Sequence, residues 1–220
     1  MTEGPSRAVW TIDVDASLEA MLKDPSCPSV LRRPVSETRS WQVRNETSVR
    51  RVLKASQLMP QFMATLLALG AGVAIEGVGE APLEDLLAQG VNGRITKLHI
   101  PVGGASLRCG EAHVRRAPAE EPIVAAVAAV KMSAQHVEEA RVALSGTWPE
   151  PVRLAEAPDT LVGGTLSPES IEAVAVAVEQ EADPRGDFMG SAAYRRAMAR
   201  VLTRRALEAC VAAPTAGGGR

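Results

Sequence analysis

The apolar positions between Met59 and Leu69 form a nearly continuous run, which predicts a compact apolar helix. Gly70 follows it, and glycine is the residue expected just after a helix end. Further along, Pro82–Gln89 carries acidic residues in its first turn and predicts a short helix. Ser17 is placed to cap an earlier helix that ends at Lys23. Irregular chain is predicted after that helix by Pro25, Pro28 and Pro34.

Beyond Gly93 the pattern changes to alternating apolar and polar positions, which predicts strands. Turn signals lie between the candidate strands at Gly103, Gly104 and Pro118. The run Ile123–Val130 is apolar throughout, and its alanines suit a helix as well as a buried strand. The strand candidates are Ile95–Ile100, Cys109–Arg116, Ile123–Met132 and Val137–Leu144.

Two helices are predicted in the last third of the chain. Ser167 is a helix cap with Pro168 at the first helical position. The final helix, Ser191–Val211, places apolar residues at helical spacing, and these are predicted to be buried: Tyr194, Met198, Val201 and Leu202. Its other faces carry Arg195, Arg196, Arg200, Arg204 and Arg205. This basic surface is either a solvated face or a docking face for a partner subunit.

The composition limits the classes of protein that this chain can represent. A chain of 220 residues has room for one or two domains. Because only 3% of the residues are aromatic, the core must be built from alanine, valine and leucine. The net charge of −2 gives no general attraction to nucleic acid or to anionic membranes. No apolar run approaches the roughly twenty residues of a membrane span, so we expect a cytoplasmic protein.

The residues that most often bind metals are few and scattered. A disulfide framework, a zinc site or an iron–sulfur cluster is not expected from the three cysteines, Cys27, Cys109 and Cys210. The histidines are far apart in sequence and are expected to be structural or solvent-facing: His99, His113 and His136. The stretch Arg32–Lys54 is rich in arginine and suits either an anionic partner, such as a nucleotide, or an ordinary surface. We find no catalytic constellation.

Two segments resemble one known family. The first is the run Gln42–Asn45 followed by Leu66–Ala71, and the second is the closing stretch Gly190–Leu207. Both are similar to the flavoprotein (medium) subunit of the molybdenum hydroxylases, the family of carbon monoxide dehydrogenase and xanthine dehydrogenase. The resemblance implies a subunit that binds FAD and relays electrons, while the substrate reacts on a molybdenum subunit.

The family's second glycine-rich flavin loop falls on positions that lack its glycines. The loop positions are Thr47, Ser48, Val49, Arg50, Arg51, Val52 and Leu53, and the Asp-Pro element that follows falls on Gln57 and Leu58. A Gly-Gly pair lets peptide N–H groups approach a pyrophosphate, and two arginines cannot copy that approach. The family's first subdomain, with its own phosphate loop, has no counterpart in the sequence. On these grounds we expect no cofactor.

These observations predict an α+β protein. Residues 1–93 are predicted to be a degenerate remnant of the FAD-binding domain, residues 94–213 a small antiparallel sheet packed with a helical cluster, and residues 214–220 a disordered tail. The favoured hypothesis is a flavin-free assembly or interaction module, working with molybdenum and iron–sulfur subunits or as a homo-oligomer. The alternative is an FAD-binding electron-transfer subunit with an altered or shared flavin site. A nucleotide or nucleic-acid binder that uses Arg32–Lys54 is the third and least favoured reading.

Overall fold

The computed structural model describes residues 9–89, 93–102 and 106–212, which form two four-stranded antiparallel sheets surrounded by helices. This architecture confirms the predicted α+β class. The segment 214–220, which we predicted to be a disordered tail, lies outside the described residues, as do Met1–Ser6, Gly103 and Gly104. The strands are β1 (Val9–Asp13), β2 (Gly72–Ile75), β3 (Gly79–Pro82), β4 (Ile95–Pro101), β5 (Leu107–Val114), β6 (Val124–Ser133), β7 (His136–Ser145) and β8 (Val152–Leu154).

The helices lie in two groups. Six of them precede β4 in the sequence: α1 (Leu18–Lys23), α2 (Ser29–Thr38), α3 (Trp41–Glu46), α4 (Val49–Lys54), α5 (Pro60–Ala68) and α6 (Leu83–Gln89). Two long helices close the described chain: α7 (Pro168–Glu181) and α8 (Ala192–Ala212). Short 3₁₀ turns occupy Ser56–Leu58 and Ala157–Leu161. Ser167 caps α7 through the backbone N–H of Ser170, as predicted.

The first sheet has the strand order β1-β4-β2-β3. Its strand β4 pairs Ile100 with Trp10 on one side and Leu98 with Val73 on the other. We predicted this strand from its alternating pattern but assigned it to the second part of the chain. The pairing corrects that assignment, because β4 completes the first sheet, and the second sheet begins with β5. The division of the chain into domains stays a prediction.

Helix α2 replaces the irregular chain that its prolines predicted. Pro28 stands at the N-cap, where a missing N–H group costs nothing, and Pro34 lies inside the helix. The helix survives because its apolar face is fully buried, as shown by Leu31 and Val35. The guanidinium of Arg32 also donates to the carbonyls of Leu22, Asp24 and Cys27, and so ties α2 to the end of α1. Tertiary burial here outweighs local propensity.

Strand β6 lies at the centre of the second sheet, whose order is β5-β6-β7-β8. Both of its faces are buried, which explains the uninterrupted apolar run in the sequence. Val127 and Ala129 face the core that contains α5, whereas Ala126 and Ala128 face the core that contains α7 and α8. The sequence pattern left the choice between helix and strand open, and the two covered faces explain why.

Helix α5 packs between the first sheet's helices and the second sheet. All residues from Gln61 to Ala68 are buried in this helix, which the sequence predicted from its apolar run. Gly70 follows with φ of +68°, the left-handed conformation expected of a glycine after a helix end. The helix contacts β6, β7 and β8 as well as α2 and α6. Its residues lie in a core that also includes one face of the second sheet, so α5 joins the two halves of the molecule.

Helix α8 packs closely against β5 and β6 on the opposite face of the second sheet. Its buried face consists of Arg195, Ala199, Leu202, Thr203, Ala206, Leu207 and Cys210. Of the four residues that we predicted to be buried, only Leu202 is. Small residues face the sheet because the helix approaches it closely: a Cβ atom added to Gly110 would lie 2.0 Å from the carbonyl oxygen of Ala206.

We predict that Gly110→Ala destabilises the protein, because the new methyl group would force α8 away from the sheet. Overpacking of this kind costs about 1–3 kcal/mol, and each kcal/mol lowers the melting temperature of a chain of this size by about 2–4 °C. Thermal unfolding followed by circular dichroism measures the effect. Ser133→Ala, at the exposed end of β6, is the control and should unfold like the wild type. An unchanged melting temperature for Gly110→Ala would contradict the close packing.

Candidate functional site

The positions of the family's flavin loop form a helix start and not an open loop. Ser48 caps α4 by accepting the backbone N–H of Arg51. The backbone N–H of Val49 donates to the carbonyl of Ala16 at 3.0 Å, and that of Arg50 donates to the carbonyl of Val14 at 2.7 Å. The peptide groups that would have to approach a pyrophosphate are therefore bonded within the chain.

The side chain of Arg50 is also held within the chain. Its guanidinium contacts both carboxylate oxygens of Asp15, at 2.6 and 2.7 Å, and donates to the carbonyl of Ile95. These hydrogen bonds lower the pKa of Asp15. Arg51 and Gln57 are exposed, while Thr47 and Ser48 are half-buried and Val49 is buried. The prediction that positions 47–51 do not bind a flavin pyrophosphate stays untested, and this bonding gives it a physical basis.

Most of the basic residues between Arg32 and Lys54 are likewise engaged inside the protein. Arg33 pairs with Glu37 and Glu111, Arg39 with Glu121, and Arg44 with Glu19. Arg51 and Lys54 are exposed. Most arginines of this stretch thus form ion pairs within the protein. They are not free to neutralise phosphates, which argues against the nucleic-acid-binding interpretation.

The basic surface of α8 is partly neutralised by the neighbouring helix. Arg200 contacts Glu172 and lies 3.6 Å from Glu179, both on α7. Arg196 donates to the carbonyl of Ala182 at 3.0 Å. These contacts favour the solvated-face interpretation over the docking face. Arg195 differs from both expectations, because only 8% of its side chain is exposed.

Arg195 binds three separate parts of the chain. Its guanidinium donates to the carbonyls of Ile123 and Gly146, at 2.7 and 3.2 Å, and to both carboxylate oxygens of Asp187 at 2.8 Å. Gly146 has φ of +75°, and an added Cβ atom would lie 2.1 Å from the Ile123 oxygen. This clamp fixes the start of β6, the end of β7 and the loop before α8 relative to one another.

A cavity of about 620 Å³ lies beside this clamp. Gln57 and Pro60 border it from the first half of the molecule, so one of the predicted flavin positions does reach a cavity. Its other walls come from the loop that joins β5 to β6 and from the segment after β7. Apolar side chains in these walls include Pro122, Ile123, Trp148, Pro149 and Met189.

Each arginine around the cavity has a carboxylate partner, and Glu150 adds a further carboxylate to the lining. Arg39 contacts Glu121 at 3.0 Å, and Arg116 contacts Glu120 at 3.2 Å. Arg195 is neutralised by Asp187. A cavity whose cations already have carboxylate partners attracts a free phosphate weakly. It suits an uncharged, flat group that carries hydrogen-bonding atoms on its edge.

Ser145 supplies a polar group without a partner at this cavity. The residue is 2% exposed, and within the described part of the chain its hydroxyl oxygen has no hydrogen-bond partner. Buried hydroxyl groups are normally satisfied. Because the hydroxyl is fully buried, a ligand or an ordered water in the cavity can bond to it only after the side chain turns.

Searches for other kinds of site gave two findings. Within residues 9–89, 93–102 and 106–212, no group of three or more histidine, cysteine or acidic side chains is arranged to hold a metal ion. Among the same residues, no helix is long and apolar enough to cross a membrane. The cavity beside Arg195 is the candidate site because it is bordered by Gln57, one of the positions that correspond to the family's flavin-binding segment.

Comparison with known proteins extends these observations. Residues 112–210 match the family described as the CO dehydrogenase flavoprotein C-terminal domain. A segment of 114 residues is 26% identical to the glyceraldehyde dehydrogenase medium chain of Sulfolobus acidocaldarius, covering 52% of this chain and 40% of that relative. The chain therefore spans less than half the length of this curated relative.

Solved structures share the fold over nearly the whole chain. Reconstituted CO dehydrogenase from Oligotropha carboxidovorans matches with a TM-score of 0.79 and 22% identity, over 92% of this chain and 75% of the other. Quinoline 2-oxidoreductase from Pseudomonas putida matches with a TM-score of 0.74 and 22% identity, over 95% and 77%. Residues 112–210 are therefore similar to a CO dehydrogenase flavoprotein C-terminal domain, and the chain shares the fold of the solved CO dehydrogenase and quinoline 2-oxidoreductase chains.

The comparisons overturn our expectation that the protein has no cofactor. The matching family is a flavoprotein family, and loss of the flavin site does not follow from the altered positions 47–51 and Gln57. The expectation was wrong because it inferred loss of the cofactor from the two altered or missing phosphate loops, whereas residues 112–210 still match a flavoprotein family. Sequence reasoning also missed the cavity residues Ser145 and Trp148, because no spacing rule connects them with Gln57.

We predict that Asp187→Asn weakens the clamp, because it removes the charge that compensates the buried Arg195 guanidinium. A hydrogen bond to a charged group contributes about 1.5–3 kcal/mol to stability. We therefore expect a clear fall in the free energy of unfolding, measured by urea denaturation at neutral pH. Asp183→Asn is the matched control, since Asp183 is exposed and 3.9 Å from Arg196. Equal stability of the two variants would contradict the role of the clamp.

The same pair defines a pH dependence. The hydrogen bonds from Arg195 lower the pKa of Asp187 below its ordinary 3.8. A lowered carboxyl pKa contributes stability above the unfolded pKa, and that contribution is lost as the pH falls through the folded pKa. We therefore expect the difference between wild type and Asp187→Asn to shrink below about pH 3.8. A constant difference between neutral and acidic pH would contradict this assignment.

Proposed function

We propose that this protein is an FAD-binding, electron-transferring subunit of a molybdenum-containing oxidoreductase complex. The observation that carries the proposal is the flavoprotein C-terminal domain at residues 112–210, next to a cavity that Gln57 borders. The molybdenum and iron–sulfur subunits that accompany medium subunits are the proposed partners. FAD, when bound, accepts electrons and passes them on.

The proposed flavin site differs from that of the family in where the pyrophosphate and the ring of FAD bind. The pyrophosphate does not fit at residues 49–51, because their backbone N–H groups are bonded to the carbonyls of Ala16, Val14 and Ser48. The cavity fits the other end better. It offers apolar walls around Trp148, arginines that already have carboxylate partners, and the unsatisfied hydroxyl of Ser145 for the polar edge of a ring.

The proposed function therefore corresponds to our alternative hypothesis, an FAD-binding subunit with an altered or shared flavin site. The ring occupies the cavity, and the phosphates are held by groups other than the backbone at positions 49–51. Those groups belong either to exposed side chains of this chain or to a neighbouring polypeptide. An assembly role has no separate observation in its favour.

We predict that the purified protein binds FAD, and that Gln57→Trp weakens this binding by blocking the cavity mouth with a bulky side chain. Gln57 is exposed, so the substitution should leave the fold intact. Lys54→Trp adds the same side chain at an exposed position outside the cavity and is the matched control. Arg51→Ala should also leave the affinity unchanged. Titration of FAD fluorescence, with released flavin measured after denaturation, gives the dissociation constants.

Two results would count against the proposal. Absence of binding to the wild type, both alone and mixed with its co-purifying subunits, would contradict the function. Binding that Gln57→Trp leaves unchanged but Arg51→Ala abolishes would place the flavin at the family's loop instead of the cavity.

A further inference from the structure

A cluster of polar side chains connects the two halves of the molecule close to the cavity. Glu111 and His113 alternate along β5 and share one face of that strand, and Arg115 directly follows the last residue of the strand. Helix α2 contributes Arg33 and Glu37, and α5 contributes Gln61. The opposite face of β5 packs on α8 through Gly110 and Ala112. The cluster therefore lies at the joint between α2, α5 and the second sheet.

Gln61 is at the centre of the cluster and is 1% exposed. Its amide nitrogen lies 3.4 Å from a carboxylate oxygen of Glu111 and 3.5 Å from Nδ1 of His113. Its amide oxygen accepts from the guanidinium of Arg115 at 3.4 Å. The reversed amide would place oxygen against a carboxylate and nitrogen against a guanidinium. The orientation is thus fixed, and it requires an unprotonated Nδ1 on His113.

Arg115 connects this cluster with the cavity wall. Its Nη1 donates to the carbonyl of Pro118 at 2.7 Å, and its Nη2 lies 3.4 Å from the carboxylate of Glu37. Pro118 belongs to the loop between β5 and β6, whose residues Arg116 and 119–123 line the cavity. The position of this wall therefore depends on how well Arg115 is held.

We propose that His113 is a proton-sensitive positioning residue, whose protonation turns Gln61 away from Arg115 and loosens the 116–122 loop at the cavity. A protonated Nδ1 is a donor and cannot accept from the Gln61 amide. If the amide rotates to offer its oxygen to His113, Arg115 loses that acceptor and faces a donor instead.

The charges around His113 favour the neutral imidazole. Arg33 and Glu37 face it from α2, and Glu111 and Arg115 face it from β5, so a proton on His113 adds a third cation beside two carboxylates. Burial and the two arginines lower the pKa of His113 below 6.5. We call the arrangement in which Gln61 bonds to both His113 and Arg115 the closed arrangement. Because the pKa of His113 is lowered in it, the closed arrangement is favoured above pH 6.5 and is lost as the pH falls below that value.

Glu111 acts in the opposite sense and has to be separated from His113. Burial raises the pKa of the Glu111 carboxyl above 4.5, so the closed arrangement takes up that proton more readily than an open one. Its protonation therefore favours the closed arrangement as the pH falls toward 4.5. A variant at position 113 isolates the histidine, because Glu111 is retained in it.

Hydrogen–deuterium exchange of the 116–122 peptide, read by mass spectrometry, tests the proposal on the full chain. Rates are corrected for intrinsic exchange and compared between about pH 7.5 and pH 5.5, a range that spans the ordinary histidine pKa. In the wild type, protection of this peptide should fall by up to about tenfold per pH unit as the pH drops from the ordinary histidine pKa of 6.5 toward the lowered pKa of His113. His113→Gln keeps a hydrogen-bonding side chain without a titrating ring and should abolish the pH response.

His136→Gln is the matched control, because His136 is exposed at the start of β7, and it should respond like the wild type. A flat wild-type profile, or a pH response that persists in His113→Gln, would overturn the proposal. Peptides from α7 report global opening and should not follow the same profile. If they do, the response is global unfolding and the positioning role is contradicted.

The effect of His113 on FAD binding in the cavity rests on the proposed function. A second measurement distinguishes failure of the proposed function from failure of the His113 proposal. The dissociation constant for FAD should rise on acidification in the wild type and stay level in His113→Gln. If FAD does not bind at any pH, the proposed function fails, while the exchange experiment still decides whether His113 controls the loop.

Discussion

The packing of α5 is the constraint on which the rest of the structure depends. This nine-residue helix is buried on every side and contacts both α2 and the second sheet. A helix that is apolar all round has no solvent face, so it can be stable only when structure covers it from each direction. Strand β6, at the centre of the second sheet, is likewise buried on both of its faces. The two halves of the molecule are joined because they share these two elements.

That constraint also explains which parts of the fold the sequence predicted. The run Met59–Leu69 and the strand candidates after Gly93 were recognisable, because each carries its own periodicity and end signals. Burial on both faces removed the alternation from Ile123–Val130, so its type stayed open. Helix α2 was missed because Pro34 is a local signal against helix, while the burial that overrides it is a tertiary effect. The partner of Ile95–Pro101 was missed because pairing is not encoded in the strand itself.

The candidate site was predictable only in part for a similar reason. The sequence identified Gln57, which borders the cavity. It placed Arg195 on an outer face of the last helix, either solvated or docked to a partner, because arginine is rarely buried. The residue is buried because its partners, the carbonyls of Ile123 and Gly146 and the carboxylate of Asp187, are brought together by the fold from distant parts of the chain. The loss of glycines at positions 50 and 51 was read as loss of the cofactor, although those positions concern only the phosphate end of FAD.

The central claim is that FAD binds with its ring in the cavity and without backbone contacts from residues 49–51. Backbone amide chemical shifts recorded by NMR during an FAD titration test it most directly. The account predicts saturable shifts at Ser145, Gly146 and Ile123, with the amides of Val49, Arg50 and Arg51 unchanged. Shifts confined to residues 49–51, or no shifts at saturating FAD, would contradict it.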